Sequence, residues 1–181
     1  PGPDLSLPSP FPALRNSQFE LDRPITDELV AASHNNFYEF SAAKDDVLPN
    51  ASKFEISPWQ LEVSGLVSQP AVYDVEELIR KMPMEERLYR HRCVEAWAMA
   101  VPWTGFLMKD FVDMVQPLSA ASHIRMTTFL KPDQAPGQFS TPQFPWAYME
   151  GLTMAEATNE LTMLVTGIYG KELPKQHGAP I

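Results

Sequence analysis

The chain holds one cysteine, Cys93, in 181 residues. An internal disulfide is therefore excluded, and so is a zinc or iron–sulfur site built from several thiolates, which needs further cysteines or closely spaced histidines. Only four histidines are present, and they are scattered. Positive charge is scarce as well: 14 Lys and Arg against 23 Asp and Glu give a net charge of −9 and a pI near 4.8. Without a basic run to serve as a phosphate footprint, nucleic acid and anionic membrane surfaces are poor partners. No apolar run approaches the roughly 18 residues of a membrane span, and Pro1 opens no basic segment followed by an apolar one, so direct membrane insertion is not expected. Glycine is sparse, with 8 residues against 18 prolines. Proline at that density removes backbone donors and interrupts elements, which predicts short strands and helices joined by long ordered loops.

What is present suits a globular domain: 44% hydrophobic and 20% charged residues, in a chain long enough to bury roughly 70% of its unfolded surface. Residues 1–24 read as an irregular arm. Ile25 to Ser33 can form a short helix capped by Thr26, with Leu29 and Val30 as its apolar face. Alternation of Trp59, Leu61 and Val63 with polar residues marks a half-buried strand closed by Gly65. Asp74 and Glu77 form a capping-box pattern for a helix from Val75 to Met82, ended by Pro83. Arg87 to Val94 runs as a strand into Cys93, and Thr104 is positioned to cap a helix reaching about Val115, with Phe106, Leu107, Phe111 and Val115 toward the core. Ile124 to Leu130 reads as a strand, and 132–145 as a long loop of lid or insertion type. Thr153 and Glu156 form another capping box, and Leu161 to Gly167 is a strand leading to a turn at Gly170. Helices and strands mix without strict β-α-β alternation, which favours an α+β fold over a doubly wound sheet.

The stretch from Tyr89 to Trp97 carries the densest chemistry. Arg90, His91 and Arg92 precede Cys93 and would favour its thiolate if they point at the sulfur. A lone thiol is most often a small buried hydrophobe, and a nucleophilic role would need a partnered base. As a metal ligand, a single thiolate suffices only when a cofactor brings the remaining ligands. Arg90 and Arg92 read equally well as a solvated strand face or as cofactor contacts. Trp97 and Trp103 read as core in preference to substrate-stacking residues, and the nine methionines as gap-fillers instead of a copper-binding box. The run from His34 to Phe40 packs amides, aromatics and a carboxylate into seven residues without a helical stripe.

Three motifs in order, N-N-F-Y-E-F from Asn35, R-C-V-E-A-W from Arg92 and Y-G-K-x-L-P-x-Q-x-G-A-P from Tyr169, resemble the catalytic subunits of the periplasmic methionine-sulfoxide reductases, in the sulfite-oxidase superfamily of molybdopterin oxidoreductases. The segments W-x-L-x-V-S-G from Trp59, M-E-E-R-L-Y-R-H-R from Met84 and V-P-W-x-G-F from Val101 fit as well. The likeness runs from Asn35 to Ile181, about four fifths of the chain. It implies a mixed-sheet molybdopterin-binding fold over 35–181, with 1–34 as an N-terminal arm carrying a short helix. It also implies a molybdenum cofactor with one pterin and no nucleotide. Cys93 falls on the metal ligand, while Asn35, Tyr38, Glu39 and Thr128 fall on cofactor contacts, and Asn36 and Glu95 line the metal's open face as candidate catalytic residues. His177 stands where these reductases often have Asn and sulfite oxidases have His, and it is carried over as a cofactor contact.

The implied reaction is reduction of methionine sulfoxide, free or in oxidised proteins, with electrons from a haem-containing membrane subunit and export by the twin-arginine route to the periplasm. Sulfite oxidation is the runner-up. It is disfavoured because sulfite oxidases place arginines after the ligand cysteine, where this chain has Val94, Glu95, Ala96 and Trp97. A cofactor-free interaction domain that keeps the fold is the reading from another class. In the family, the G-A-P motif continues into an arginine and a segment that grips the pterin phosphate; the chain stops at Ile181, so the domain is expected to be C-terminally incomplete.

Overall fold

The computed structural model describes residues 9–181, so the first eight residues of the expected arm lie outside it. In chain order the elements are α1 (Glu28–Ala32), α2 (Val47–Ala51), β1 (Gln60–Val63), β2 (Ala71–Asp74), α3 (Val75–Lys81), β3 (Glu85–Arg92), β4 (Ala98–Leu107), α4 (Met108–Val115), β5 (His123–Thr127), α5 (Pro136–Ser140), β6 (Met149–Thr153), α6 (Met154–Ala157), β7 (Met163–Ile168) and β8 (Lys171–Glu172). The architecture is α+β, as the mixed pattern of elements implies. A four-stranded sheet of order β3-β4-β7-β8 forms the centre, beside two hairpin-like pairs, β1-β2 and β5-β6. Every named strand pair is antiparallel, and a parallel bridge joins Arg15 of the arm to Glu86 on β3.

The central strand β4 positions the site. Its alternate residues face opposite layers, as side chains on a strand must. Val101 packs toward Ala31, Ile168, Leu173 and Ala179. Phe106 on the other face joins Leu78, Phe111 and Val115 beneath α3 and α4. Here the expected helix cap at Thr104 is corrected: Thr104 is fully buried inside β4, and the helix begins only at Met108. β-Branched and aromatic side chains from Val101 to Phe106 favour the pleated sheet, and pairing on both flanks outweighs the capping potential of one threonine. At Gly105 the backbone of β7 comes so close that a Cβ would overlap the Leu164 carbonyl oxygen, and the ladder register shifts there.

Other expectations hold with adjusted ends. The Asp74 carboxylate accepts from the Glu77 N–H at 3.0 Å and starts α3. The Thr153–Glu156 capping box is complete on α6. The long loop at 132–145 contains α5. The short helix at α1 is capped by Asp27, whose side chain accepts from Leu29 and Val30 N–H, while Thr26 Oγ1 accepts from the Ala100 N–H at 3.0 Å. Its expected apolar face is also corrected: Leu29 and Val30 are exposed and Ala31 is buried. A helix of little more than one turn has too few residues for its pattern to fix which side turns inward.

The described part of the arm is irregular but attached. Leu14 and Asn16 exchange backbone hydrogen bonds with Glu86, each at 2.8 Å, and the Arg15 guanidinium pairs with the Glu86 carboxylate at 2.6 Å. Behind them the buried Arg87 lies 3.9 Å from the Phe19 ring centroid. No helix among the described residues is long and apolar enough to cross a membrane.

Candidate functional site

The turn between β3 and β4 carries Cys93. Its N–H donates to the Trp97 carbonyl at 3.0 Å and its carbonyl accepts from Ala96 at 3.1 Å, while Ala96 takes a positive φ of 70° to close the turn. Positive φ in a residue with a Cβ is uncommon and is held here by those flanking bonds. From the other side, Asn36 Nδ2 donates to Cys93 Sγ at 3.1 Å. The three cations expected to face the sulfur are all exposed, and they divide by the cavity alone: His91 lines it beside Cys93, whereas Arg90 and Arg92 are absent from its lining.

That cavity has a volume of about 350 Å³ and gathers residues from five places: Ala31 of α1, His34 to Phe37, the β3–β4 hairpin, β7, and Gln176 to Gly178. It unites Cys93, Asn35, Asn36 and His177. Three of the four histidines, His34, His91 and His177, stand around two tryptophans: His34 and His91 lie 5.0 and 5.9 Å from Trp97, and His91 and His177 lie 5.8 and 6.1 Å from Trp103, centroid to centroid. Trp97 and Trp103, read from the sequence as core, are thus walls of the cavity. Burial, with the neighbouring His91 as a second cause, pushes the His177 imidazole down to about 4. Burial lowers His91 as well. At neutral pH both rings are uncharged and offer one donor and one acceptor each.

A polar cluster adjoins the cavity at Glu95. Its Oε1 accepts from Tyr38 OH at 2.9 Å, and its Oε2 takes Lys44 Nζ at 2.6 Å and Trp97 Nε1 at 3.4 Å. Lys44, then Tyr38, hold the Glu95 carboxyl down at about 2, with further help from Asn36 and Trp97. Glu95 is therefore a fixed anion that accepts hydrogen bonds, not a proton donor at neutral pH. Each partner's own bond to Glu95 raises it in turn, the Tyr38 phenol and the Lys44 ammonium alike.

Four residues of the sequence-derived set stand off the cavity wall: Tyr38 and Glu95 in the adjoining cluster, and Glu39 and Thr128 outside it. Glu39 is buried behind the wall, with burial raising its carboxyl and its carbonyl accepting from Gln138 at 3.2 Å. Thr128 sits past the end of β5, its N–H bonded to the Tyr148 carbonyl at 3.0 Å. The structure adds His34, Trp103, Gln176 and Lys44. His34 lay inside the flagged run of amides and aromatics, but nothing in the sequence marks Lys44, whose place depends on the path of the loop at 41–46.

The cavity suits a polar heterocycle. Asn35 Oδ1 and His34 Nε2 are buried without a hydrogen-bond partner among the described residues although both residues line it, and buried polar groups are normally paired. The Asn35 amide nitrogen is already committed to the Ala32 carbonyl at 2.8 Å, which fixes the orientation of the free oxygen. Among the described residues no group of three or more His, Cys, Asp or Glu side chains is arranged to hold a metal. A metal at Cys93 would thus take its other ligands from a cofactor.

The family described as "Oxidoreductase molybdopterin binding domain" matches residues 48–181, a span that includes Cys93, Glu95, Thr128 and His177. The protein-methionine-sulfoxide reductase catalytic subunit MsrP of Burkholderia mallei is 42% identical over 166 residues, covering 92% of this chain and 50% of that protein. Among solved structures, the sulfane dehydrogenase SoxCD from Paracoccus pantotrophus shares the fold with a TM-score of 0.52 at 12% identity, over 99% of this chain and 53% of that one. The chain spans about half the length of the curated relative it matches.

Proposed function

The chain belongs to the oxidoreductase molybdopterin-binding domain family, and from that premise we propose that it forms the site of a molybdenum-dependent reductase that returns methionine sulfoxide, free or in oxidised proteins, to methionine. Cys93 Sγ is the protein's ligand to the metal. Asn35 and His34, with their unpaired buried atoms, and His177 would hold the pterin, with Tyr38, Glu39 and Thr128 as further contacts implied by the family resemblance. When bound in its reduced form, the molybdenum cofactor would supply the two electrons that reduce the sulfoxide and would take up its oxygen atom.

The residues of this chain govern binding and polarity around that reaction. Asn36 donates to Sγ and withdraws electron density from the sulfur, a route by which neighbours tune a metal. Glu95, with both oxygens committed, offers a fixed acceptor beside Cys93, and Tyr38 OH is the closest hydroxyl donor to it. The observation that carries the choice of substrate is electrostatic. Glu95 and Lys44 form a neutral pair next to Cys93, and among the described residues no arginine lines the cavity. A neutral sulfoxide suits this environment, whereas sulfite would meet a carboxylate without a compensating guanidinium.

The 42% identity to a protein named as a methionine-sulfoxide reductase subunit supports the same choice. A haem-containing membrane subunit as electron donor, protein-bound sulfoxide as substrate, and a periplasmic location belong to this proposal. The test uses the full-length protein loaded with cofactor. Methionine sulfoxide is expected to be turned over and sulfite not, and Cys93→Ser is expected to abolish both bound molybdenum and its spin-resonance signal. Faster turnover of sulfite, or an unchanged signal in the serine variant, overturns the proposal.

A further inference from the structure

Building on the proposed reductase reading, we propose that Lys44 is a positioning residue for the reaction, because its ammonium contacts Glu95 Oε2 at 2.6 Å and locks that carboxylate beside Cys93. Several observations set this pair apart from an ordinary surface ion pair. Its side chains are 27% and 34% exposed, against 67% and 51% for Lys171 and Glu28. Exposed pairs of the latter kind contribute little and hold no fixed geometry. Glu95 is also gripped from more than one direction: Tyr38 OH takes Oε1 at 2.9 Å, and Trp97 Nε1 approaches Oε2 at 3.4 Å. With both oxygens engaged, the carboxylate has one orientation, as a group aimed at a substrate must have.

The backbone explains why this lysine reaches the site. The Lys44 carbonyl accepts from the Asn35 N–H at 3.2 Å, so the segment from Asn35 to Lys44 closes on itself. That closure brings Asn36, Tyr38 and Lys44 to the same side of the Cys93 turn, where Asn36 meets Sγ and the other two meet Glu95. Lys44 also supplies the charge that compensates Glu95. Without it an unbalanced carboxylate would stand two residues from the metal's sulfur ligand, adding negative charge where electrons are to be gained and letting the carboxylate turn away.

The experiment compares wild type, Lys44→Met, Lys44→Arg, Glu95→Gln and the double variant Lys44→Met with Glu95→Gln, all as full-length, molybdenum-loaded protein. Lys44→Met is expected to lower kcat by about 10-fold or more, in the range seen when a residue supporting a metal site is removed, with KM within about 3-fold of wild type. Lys44→Arg is expected to recover most of that loss. Because Lys44 acts through Glu95, Lys44→Met is expected to change kcat by less than about 2-fold when Glu95 is already Gln. The Mo(V) spin-resonance spectrum and reduction potential are expected to shift in Lys44→Met and to coincide in Glu95→Gln and the double variant. Additive losses in the double variant, or a spectrum and potential unchanged by Lys44→Met, overturn the proposal. If molybdenum-loaded wild type fails to reduce sulfoxide, the functional reading falls, and the spectra and potentials alone decide the role of Lys44. Wild-type protein without molybdenum overturns both.

Discussion

Replacing His177 with Asn is expected to flatten the dependence of folding stability on pH between neutrality and about pH 5. In the folded chain the His177 imidazole is half-buried against Trp103 and kept neutral, with its proton affinity lowered from 6.5 to about 4. In the unfolded chain it is free to protonate, so below pH 6.5 the unfolded state binds more protons and stability falls as pH falls. The contribution is fully present above the unfolded value, declines as pH drops through it, and levels off below about 4. For a shift of this size the loss by about pH 5 is about 2 kcal/mol relative to about pH 7.5, from the ratio of the two protonation polynomials. This window avoids Glu95, whose stabilising effect is lost only as pH falls below 4.5 toward about 2. The effect of burial on His91 is common to both proteins, and its repulsion of His177 is already contained in the lowered value of that ring. The assay is urea unfolding of the cofactor-free chain at the two pH values, for wild type and His177→Asn. Parallel pH dependences would show that the imidazole is not held neutral by burial and would refute the reasoning.

Two further substitutions probe the frame around the site. Gly137→Ala places a Cβ into the carbonyl oxygens of Tyr38 and Glu39, and neither backbone group can move without shifting the loop that carries Asn36; a loss of about 1–3 kcal/mol in urea unfolding is expected, together with reduced molybdenum content per chain by elemental analysis. Phe106→Ala, at a fully buried position on the face of β4 away from the cavity, is expected to cost about 3–5 kcal/mol in urea unfolding.

Local signals that depend on near neighbours were legible in the chain. Capping at Asp74 and Thr153 needs only residues three apart, and the alternation from Trp59 to Val63 needs only a pleat; the structure contains all three. The short helix before Ser33 was legible too, but its inward face was not, because a single turn has too few residues to fix a direction. Thr104 shows the limit most clearly. Its hydroxyl reads as a helix cap in isolation, and only pairing of β4 with both β3 and β7 makes it an interior strand residue.

By itself the amino-acid order determined that there is one thiol, that it lies in a segment rich in chemistry, and that no set of protein thiolates completes a metal site around it. Those are properties of composition and spacing, and folding cannot alter them. The tertiary structure decided which groups surround that thiol. Strand alternation put His91, and neither Arg90 nor Arg92, on the cavity side; closure of the loop at 35–44 delivered Asn36 to the sulfur and Lys44 to Glu95. Convergence of segments more than a hundred residues apart set His34, His91 and His177 around two indoles. Such contacts depend on long-range packing free energy, which no local window of sequence contains.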